Sequence, residues 1–413
     1  PVCRIDMREF FYEYKGMDKQ EYILIFGGGA SRGISYIGAI KALDELNVCS
    51  DKIVGSSVGS IFAVLYALNY DVETLKEIFY DFNAFIFKDI NFGIGADFAF
   101  SKGDIFENWI RELIEKKFYG ENYKKGENPP VTFKDLKKDL YVCTTDLATN
   151  KKYIFSKLNT PDDEIAKAVR ISSSFPGLMK PVITDDKFLV DGDLAKSLPL
   201  WDGIEDLPKD VRILEFRLEG CKDCLSCKTV IDYFNTVYSS MSNFSTENII
   251  KTYNNNDMFD YILIDTKDVL LLDFQMSNEM KDKLAENGYQ TTKKYFTETL
   301  PEKRKKLLPL YEKTLKTLES TKEFIRNGKN TAIKEVLADY IFEICSEYNT
   351  LDANFMQKIE KFKRDLLKDI CKTPFLPITT IKNKTAHVKV VQGLIEDCEN
   401  KVQAMKKFIE NYR

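Results

Sequence analysis

The sequence predicts an α/β domain followed by a C-terminal region of helices. Two short apolar runs, Glu21–Phe26 and Ile53–Val54, each pass through a glycine-containing loop into a segment with apolar residues at helical spacing. After about residue 300 the chain is dense in Lys, Glu, Leu and Ile at helical spacing. With 413 residues and 44% hydrophobic content, we expect two domains, 1–300 and 301–413.

The first element is a predicted strand that leads into a glycine loop. Glu21–Phe26 suits a buried parallel strand, and the loop reads Gly-Gly-Gly-Ala-Ser-Arg-Gly from Gly27 to Gly33. A helix should follow, because apolar residues recur every third position from Ile34 to Leu46. Such a loop presents backbone N–H groups to an anion, which is either a cofactor phosphate or the oxyanion of a tetrahedral intermediate.

The cofactor interpretation would make the chain an NAD-dependent short-chain dehydrogenase. The loop is similar to the T-G-x-x-x-G-x-G turn of those enzymes, and Tyr153 and Lys157 reproduce their Y-x-x-x-K. However, Ser35 stands at the final glycine, no Asn-Asn-Ala-Gly run follows, and no serine precedes Tyr153 at the matching distance. The oxyanion interpretation explains more residues, so we keep the dehydrogenase as the weaker alternative.

The second glycine-containing turn has the pattern of a nucleophile elbow. Gly55-Ser-Ser57-Val-Gly59 is a G-x-S-x-G located where a strand would turn into a helix. The two glycines allow a strained turn that points the Ser57 hydroxyl outward. The same five residues are also compatible with an ordinary tight turn, so the interpretation depends on a catalytic partner.

The candidate partner of Ser57 is a carboxylate. A Ser-His-Asp triad needs a histidine in the same domain, and the chain's single histidine, His387, lies in a lysine-rich segment near the C-terminus. Lys187–Val190 is a predicted short strand that ends in Asp191-Gly-Asp193, where α/β folds place their chemistry. Asp191 would have to lie in a partly desolvated cleft that raises its basicity.

Further elements follow from turn and periodicity signals. Asp71–Phe118 is mainly helical, and Glu121–Pro130 is a polar connection. Asp139–Ala148 and Lys151–Ser156 are predicted to be two strands joined by a Thr-Asn turn, and Ile165–Ser172 to be a short amphipathic helix.

Five motifs in this order resemble the patatin-like phospholipase family. They span about residues 21–200 and comprise the glycine loop with Arg32-Gly33, Gly55-x-Ser57-x-Gly59, Thr145-Asp146-Leu147-x-Thr149, Ser172-Ser-Ser-Phe-Pro-Gly177 leading to Pro181, and Val190-Asp191-Gly192. The resemblance implies a three-layer α/β/α sandwich with a C-terminal all-helical appendage. It also implies hydrolysis of phospholipid or lysophospholipid acyl esters without calcium or another cofactor.

The resemblance also assigns roles to residues. It makes Ser57 the nucleophile and Asp191 the base of a Ser-Asp dyad. The expected oxyanion hole consists of Gly28, Gly29, Ala30 and Arg32, and the glycines that support the motifs are Gly33, Gly55, Gly59 and Gly192. There are two departures from the family pattern. Either Ala30 stands at the position of the third glycine or Ser31 is an insertion, and Asp193 stands where the family has Gly or Ala. An acyltransferase or a catalytically weak interaction protein on the same fold therefore stays open.

Cysteine usage favours a reducing compartment. The nine cysteines are an odd number, and most are isolated in apolar or helical surroundings. Cys221, Cys224 and Cys227 have double C-x-x-C spacing, but no fourth ligand stands nearby. We therefore expect an exposed loop rather than a metal site.

Charge is distributed unevenly along the chain. Residues 301–413 hold 23 Lys/Arg and 16 Asp/Glu, a net charge of +7, which leaves −11 for residues 1–300. Basic clusters such as Lys303–Lys306 and Lys361–Arg364 predict that this region binds an anionic membrane or an acidic protein partner such as an activator. A plain scaffold would show the same pattern. We expect a cytoplasmic protein, peripheral at membranes, with no nucleic-acid partner; signal-independent export remains open.

Overall fold

The structure is a computed structural model that describes residues 20–82, 89, 99–184, 186–194, 200–208, 211–220, 230–253, 256–267, 269–327, 351–372, 379–381 and 383–410. It divides into two compact units. The sheet unit comprises Pro1–Lys251 and Tyr261–Lys293, and the helical unit comprises Thr252–Asp260 and Lys294–Arg413. The second long segment of the helical unit begins at Lys294, and the predicted domains, 1–300 and 301–413, stay a prediction.

The sheet unit is built on an eight-stranded mixed sheet. Its strands are β1 (Gln20–Phe26), β2 (Val48–Ser56), β4 (Asp139–Asp146), β5 (Lys151–Ser156), β7 (Val182–Ile183), β8 (Phe188–Val190), β9 (Arg212–Glu219) and β10 (Phe259–Asp265). They run in the order β10-β9-β1-β2-β4-β8-β7, and β5 also pairs with β4. The short strands β3 (Ala99–Ser101) and β6 (Gly177–Met179) form a separate parallel pair.

The centre of the sheet is parallel. β1 pairs in parallel with both β2 and β9, and β2 pairs in parallel with β4. β5 and β8 run antiparallel to β4. Phe26 lies opposite Gly55 in the register, so the glycine loop after β1 and the serine turn after β2 leave the sheet at the same edge.

Seven helices of the sheet unit are described. They are α1 (Ser35–Glu45), α2 (Val58–Ala67), α3 (Val72–Tyr80), α4 (Asp104–Tyr119), α5 (Ile165–Ser172), α6 (Val230–Tyr253) and α7 (Asn278–Lys294). A 3-10 turn, Ala30–Ile34, precedes α1. All ten residues of α2 are buried, because this helix follows a central strand and packs against it.

The core of the sheet unit lies on both faces of the sheet. Ile23 and Ile25 of β1 pack with Val54, Tyr141 and Leu200 on one face. On the other face, the Phe26 ring stacks on Phe216 at 5.4 Å between centroids, and Tyr36 meets the edge of Phe62 at the same distance. Burial on both faces explains why β1 reads as a continuous apolar run.

The helical unit contains α8 (Leu300–Asn327), α9 (Ala353–Asp369) and α10 (Lys384–Glu410) among its described residues. Leu307, Tyr311, Phe355, Ile359 and Leu394 belong to its shared apolar core. The strands β11 (Ile370–Lys372) and β12 (Thr379–Ile381) form an antiparallel pair, which the all-helical prediction lacked.

The predicted α/β class with a helical C-terminal region is confirmed. β5 and α5 have the predicted bounds, and β4 ends two residues before the predicted Ala148. In the C-terminal region, α8, α9 and α10 are seen among the described residues, and residues 328–350 lie outside the described part of the chain. Within the described ranges, no helix is both long enough and apolar enough to cross a membrane.

Candidate active site

Ser57 occupies a strained turn between β2 and α2. Its backbone dihedrals are φ 52° and ψ −129°, a positive φ that residues other than glycine rarely adopt. Such strain costs on the order of 1–3 kcal/mol and is characteristic of functional sites. Ser57 therefore has the backbone of a nucleophile elbow, as the G-x-S-x-G pattern predicts.

The two glycines of this motif are required by close backbone contacts. A Cβ atom on Gly59 would lie 2.0 Å from the carbonyl oxygen of Phe26, and one on Gly55 would lie 2.5 Å from Cα of Ser60. Real Cβ atoms do not approach so closely. The missing side chain of Gly59 lets the start of α2 pack onto the end of β1, and that of Gly55 lets α2 pack against the end of β2.

Ser57 and Asp191 are in hydrogen-bond contact. Ser57 Oγ donates to Asp191 Oδ2 at 2.7 Å, and the backbone N–H of Asp193 donates to Asp191 Oδ1 at 2.8 Å. Asp191 is 1% exposed, which is the desolvated setting that the sequence argument required. Gly192 allows this turn to approach β4, because a Cβ atom there would lie 2.1 Å from the Cys143 carbonyl oxygen.

Serines at the end of α5 and just after it bind the backbone N–H groups of Ser57 and Asp191. The backbone N–H of Ser57 donates to Ser172 Oγ at 2.9 Å, and that hydroxyl donates to the Cys143 carbonyl at 2.6 Å. The backbone N–H of Asp191 donates to the Ser174 carbonyl at 3.0 Å. The sequence identified this segment as a motif, but nothing in it indicated which atoms the serines would contact.

The glycine loop differs from the predicted oxyanion hole in two donors. The backbone N–H of Gly28 donates to Asp193 Oδ1 at 3.2 Å, and Arg32 Nε donates to the carbonyl oxygen of Val269 at 2.9 Å. Both groups thus make contacts within the protein. Gly33 lies next to α2, since a Cβ atom there would be 2.4 Å from Val58 Cγ2. The loop therefore lies beside the serine turn. However, Gly28 N–H and Arg32 Nε, two of the four predicted oxyanion donors, bind other groups of the protein.

Two backbone amides remain well placed to bind an oxyanion. Ala30 and Val58 both line the cavity that contains Ser57. Each is the first residue of its helical segment, so its N–H has no partner inside that segment. Val58 is also the residue directly after the serine, which supplies an oxyanion donor in nucleophile elbows generally. Sequence reasoning missed Val58 because its side chain reads only as part of a helix face.

Ala30 has a backbone conformation that glycine adopts more readily. Its φ is 46°, in the left-handed region. In the alignment that the family resemblance gives from Arg32, glycine is expected at this position, and glycine adopts such a φ without steric cost. With alanine at this position, the backbone conformation of the loop is strained.

Ser57 and Asp191 open onto a largely apolar cavity. Its empty space, including the open mouth, is about 780 Å³. Most of its wall is aliphatic or aromatic, with contributions from Ile61, Phe79, Phe106, Leu178, Met179, Leu271, Phe274 and Met276. An acyl chain is chemically compatible with such a wall.

Lys281 is the cation in this wall, and its ammonium group is already bound. Nζ donates to the Tyr80 carbonyl at 2.7 Å and to the Phe79 carbonyl at 3.3 Å, at the end of α3. Burial lowers the pKa of Lys281. The charged end therefore fastens α3 to α7, while the aliphatic stem faces the cavity.

Asp146 has a structural role. Its Oδ1 accepts the N–H groups of Ala148 and Phe188, both at 3.0 Å, and its Oδ2 accepts the Thr149 hydroxyl at 2.8 Å. The hydrogen bond from Phe188 N–H lowers the pKa of Asp146. This motif carboxylate closes the corner between β4 and β8 and does not bind Ser57.

The dehydrogenase alternative has no support from the cavity. Its Tyr153 packs against Phe155 at 4.9 Å between ring centroids, and Lys157 Nζ donates to the Leu136 carbonyl at 3.4 Å. Neither residue is among those that line the cavity with Ser57. Tyr153 lies on β5 and Lys157 directly follows it, and neither is placed to bind a cofactor in the cavity that contains Ser57.

The cysteine cluster remains a sequence-level observation. Cys221, Cys224 and Cys227 lie outside the described residues. Within the described ranges, no group of three or more His, Cys, Asp or Glu side chains is arranged to hold a metal ion.

Comparison with known proteins identifies the sheet-bearing part of the chain. Residues 24–204 match the family model described as patatin-like phospholipase, which confirms the resemblance inferred from the motifs. An uncharacterised protein, R571, from Acanthamoeba polyphaga mimivirus is 27% identical over 281 residues, or 65% of this chain and 92% of that protein. Lysophospholipase NTE1 from Kluyveromyces lactis is 27% identical over 180 residues, but these cover 43% of this chain and 11% of NTE1.

A solved structure, that of VipD from Legionella pneumophila, is similar over most of the chain. Its TM-score is 0.46 at 15% sequence identity, covering 96% of this chain and 90% of VipD.

Proposed function

We propose that this chain, whose residues 24–204 carry a patatin-like phospholipase domain, hydrolyses acyl esters of phospholipids or lysophospholipids without calcium. The observation that carries the proposal is the 2.7 Å hydrogen bond from Ser57 Oγ to the buried carboxylate of Asp191. Both residues line a largely apolar cavity, and such a cavity suits an ester with a long hydrocarbon chain.

The first half of the reaction acylates the serine. Asp191 Oδ2 takes the proton from Ser57 Oγ while that oxygen attacks the ester carbonyl carbon. The negative charge that develops on the carbonyl oxygen is stabilised by the backbone N–H groups of Ala30 and Val58. When the carbon–oxygen bond to the leaving group breaks, the leaving alcohol takes the proton from Asp191, and the acyl group stays on Ser57.

The second half releases the fatty acid. Asp191 takes a proton from a water molecule, which attacks the acyl-Ser57 carbonyl carbon. The tetrahedral intermediate then collapses, Ser57 Oγ leaves with the proton from Asp191, and the fatty acid departs. The N–H group of Asp193 holds Asp191 Oδ1 throughout, so Oδ2 keeps its orientation toward the reacting atoms.

Product analysis tests this function. Liposomes of mixed phospholipids and lysophospholipids are incubated with wild type or with Ser57→Ala, and the lipids are identified by mass spectrometry. We expect free fatty acid and the matching deacylated lipid with wild type, and neither with Ser57→Ala. New acyl esters in place of free fatty acid would favour the acyltransferase alternative, and no change in any lipid would favour an interaction protein.

We also propose that the helical unit attaches the protein to anionic membranes through exposed residues of α9. Lys361, Arg364 and Lys368 are exposed and, at spacings of three and four, lie on one side of that helix. Each basic residue near an anionic bilayer contributes about 1 kcal/mol at best, so the attachment would be reversible and salt-sensitive. A protein partner at this unit is the alternative.

The other predicted basic cluster contributes less than its sequence suggests. Lys303 pairs with Asp260 at 2.9 Å, and Arg304 pairs with Asp257, with both cations largely buried. These two residues fasten α8 to the segment Thr252–Asp260 of the same unit. Two of the four basic residues in Lys303–Lys306 are therefore unavailable to a membrane. In this proposal, the exposed basic residues of α9 contribute most of the attraction to the bilayer.

A further inference from the structure

Asp193 contacts the glycine loop directly through its side chain. Its Oδ1 accepts the backbone N–H of Gly28 at 3.2 Å, and the residue is 1% exposed. A Cβ atom on Gly28 would lie only 2.3 Å from Asp193 Oδ2. The carboxylate thus packs against the α-carbon of Gly28, and any side chain at that position would displace it.

The backbone of the same residue contacts the catalytic carboxylate. The N–H group of Asp193 donates to Asp191 Oδ1 at 2.8 Å, while Asp191 Oδ2 accepts the Ser57 hydroxyl at 2.7 Å. Asp193 therefore joins the glycine loop, which follows β1, to the turn after β8.

Buried charges surround the Asp193 carboxylate. Arg217, on β9, forms an ion pair with Glu215, and both are almost fully buried. Burial by itself would lower the pKa of Arg217, but the negative charges of Glu215 and Asp193 raise it above its ordinary value. Arg217 thus compensates part of the negative charge that Asp193 brings into the interior.

Tyr36 supports the same loop from the other side. Its hydroxyl donates to the Gly27 carbonyl at 2.7 Å, and the backbone N–H of Gly27 donates to the Phe216 carbonyl at 3.0 Å. Burial raises the pKa of Tyr36 well above its ordinary value, and the negative charge of Asp193 adds to this effect. Gly27 and Gly28 are consequently held by three separate elements.

We propose that Asp193 is a positioning residue, which fixes the glycine loop in register with the Ser57–Asp191 pair through its bonds to Gly28 and Asp191. This inference rests on the proposed hydrolase function. It accounts for the choice of oxyanion donors: the N–H of Gly28 is committed to Asp193, while Ala30 and Val58, rather than Gly28, line the cavity. Sequence reasoning treated Asp193 as a departure that could spoil the pair, whereas its contacts give it a constructive role.

The test compares Asp193→Ala and Asp193→Asn with wild type. The readouts are the second-order rate of labelling by a fluorophosphonate probe, kcat and KM for a soluble p-nitrophenyl ester, and the melting temperature. Misplacement by about 1 Å can cost roughly 100-fold in rate, so we expect Asp193→Ala to lower kcat and labelling about 10- to 100-fold with little change in KM. Asp193→Asn keeps a carbonyl acceptor for Gly28 N–H and should retain most of the rate.

Asp146→Ala is the matched control, because it also removes a buried hydrogen-bonded carboxylate but does not touch the glycine loop. It should lower the melting temperature and leave the labelling rate of the folded protein unchanged. Wild-type labelling by folded Asp193→Ala would overturn the inference, as would an Asp193→Asn rate as low as that of Asp193→Ala. If Asp193→Ala does not fold, a large labelling loss in folded Asp193→Asn alone overturns it, and near wild-type labelling supports it.

The same measurements separate this inference from the proposed function. If wild type is labelled at Ser57 but releases no fatty acid from lipids, the proposed substrate class is wrong, while the labelling rates of the Asp193 variants still test the positioning role. Failure of wild type to label at all would contradict both.

Discussion

Ser57 Oγ lies 2.7 Å from Asp191 Oδ2, although the two residues are 134 positions apart in the sequence. β4 brings them together, because β2 pairs with its residues Asp139–Cys143 and β8 with Thr145 and Asp146, both along the edge of β4 opposite β5. The end of β2 and the end of β8 are thus both fixed against one strand. Each loop then needs only one residue beyond its strand to reach the other.

Replacement of Asp191 by asparagine should abolish activity and preserve the fold. Asparagine keeps an oxygen for the N–H group of Asp193 but cannot accept the serine proton, and loss of a general base costs about two to four orders of magnitude in rate. Hydrolysis rate and melting temperature are measured together. A dead Asp193→Asn beside an active Asp191→Asn would show that the wrong base was chosen.

Replacement of Ser172 by alanine should slow acylation without impairing substrate binding. The variant leaves the Ser57 N–H without its hydroxyl acceptor, so the strained turn loses a direct support. We expect kcat to fall about 10- to 100-fold, with KM within a few-fold of wild type. Ser50→Ala is the control, since Ser50 is equally buried on β2 but bonds only its own neighbourhood. Equal kcat values in Ser172→Ala and Ser50→Ala would contradict the prediction that Ser172 positions Ser57.

Filling the cavity should shift the preference toward short acyl chains. Leu178 is partly exposed and lines the cavity, so Leu178→Trp would occupy space beside Ser57 that an acyl chain would use. We expect kcat/KM for a long-chain ester to fall at least about 10-fold relative to a butyrate ester, consistent with the loss of one to three kcal/mol in an apolar pocket. Leu158→Trp, at an exposed site outside the cavity, should leave the ratio unchanged. A parallel loss on both esters would argue against an acyl pocket.

Asp146 should give the fold a stability that depends on pH. Its pKa is lowered in the folded state, mainly by the hydrogen bond from Phe188 N–H, so the unfolded chain takes up the proton first as the pH falls. Its stabilisation is therefore complete above the ordinary value of about 4 and is lost as the pH falls toward the lower, folded pKa. Asp146→Asn should cost about 1–2 kcal/mol of unfolding free energy at pH 7. The deficit should shrink below pH of about 4 in denaturant titrations; a deficit independent of pH would contradict this account.

Charge reversal on α9 should weaken binding to anionic vesicles. Lys361→Glu combined with Arg364→Glu removes two exposed basic residues, and co-sedimentation with phosphatidylserine-containing liposomes at low and high salt measures the effect. Lys124→Glu with Lys125→Glu makes the same change of net charge on the sheet unit and is the control. This comparison is sharper than truncation near residue 300, because truncation would also remove Arg304, which forms an ion pair with the buried Asp257. Equal binding by the two double variants would favour a scaffold or a protein-docking role for α9.

Much of the fold was predictable because local signals agree with the tertiary structure. The apolar run of β1, the periodicity from Ile34 to Leu46 and the pattern of α5 each reflect burial that the structure retains. Ser57 and Asp191 were predictable as candidate catalytic residues because each lies at the end of a predicted strand, in a turn that contains glycine. Their actual contact depends on the order of the strands, which no local pattern encodes.

The contacts that define the site more finely were not predictable. Gly28 reads as an oxyanion donor until the side chain of Asp193, 165 positions away, is placed on its N–H group. Arg304 reads as surface charge until it meets Asp257 in the interior. Both are pairings between distant residues of ordinary type, so the sequence offers no signal that distinguishes them from solvent-exposed groups.

Covalent labelling of Ser57 tests the central claim most directly. Wild type and Ser57→Ala are treated with a fluorophosphonate probe, and the modified residue is located by mass spectrometry of peptides. The Ser57–Asp191 contact predicts one stoichiometric adduct on Ser57 and no labelling of Ser57→Ala. An adduct on another serine, or equal labelling of the variant, would contradict the account.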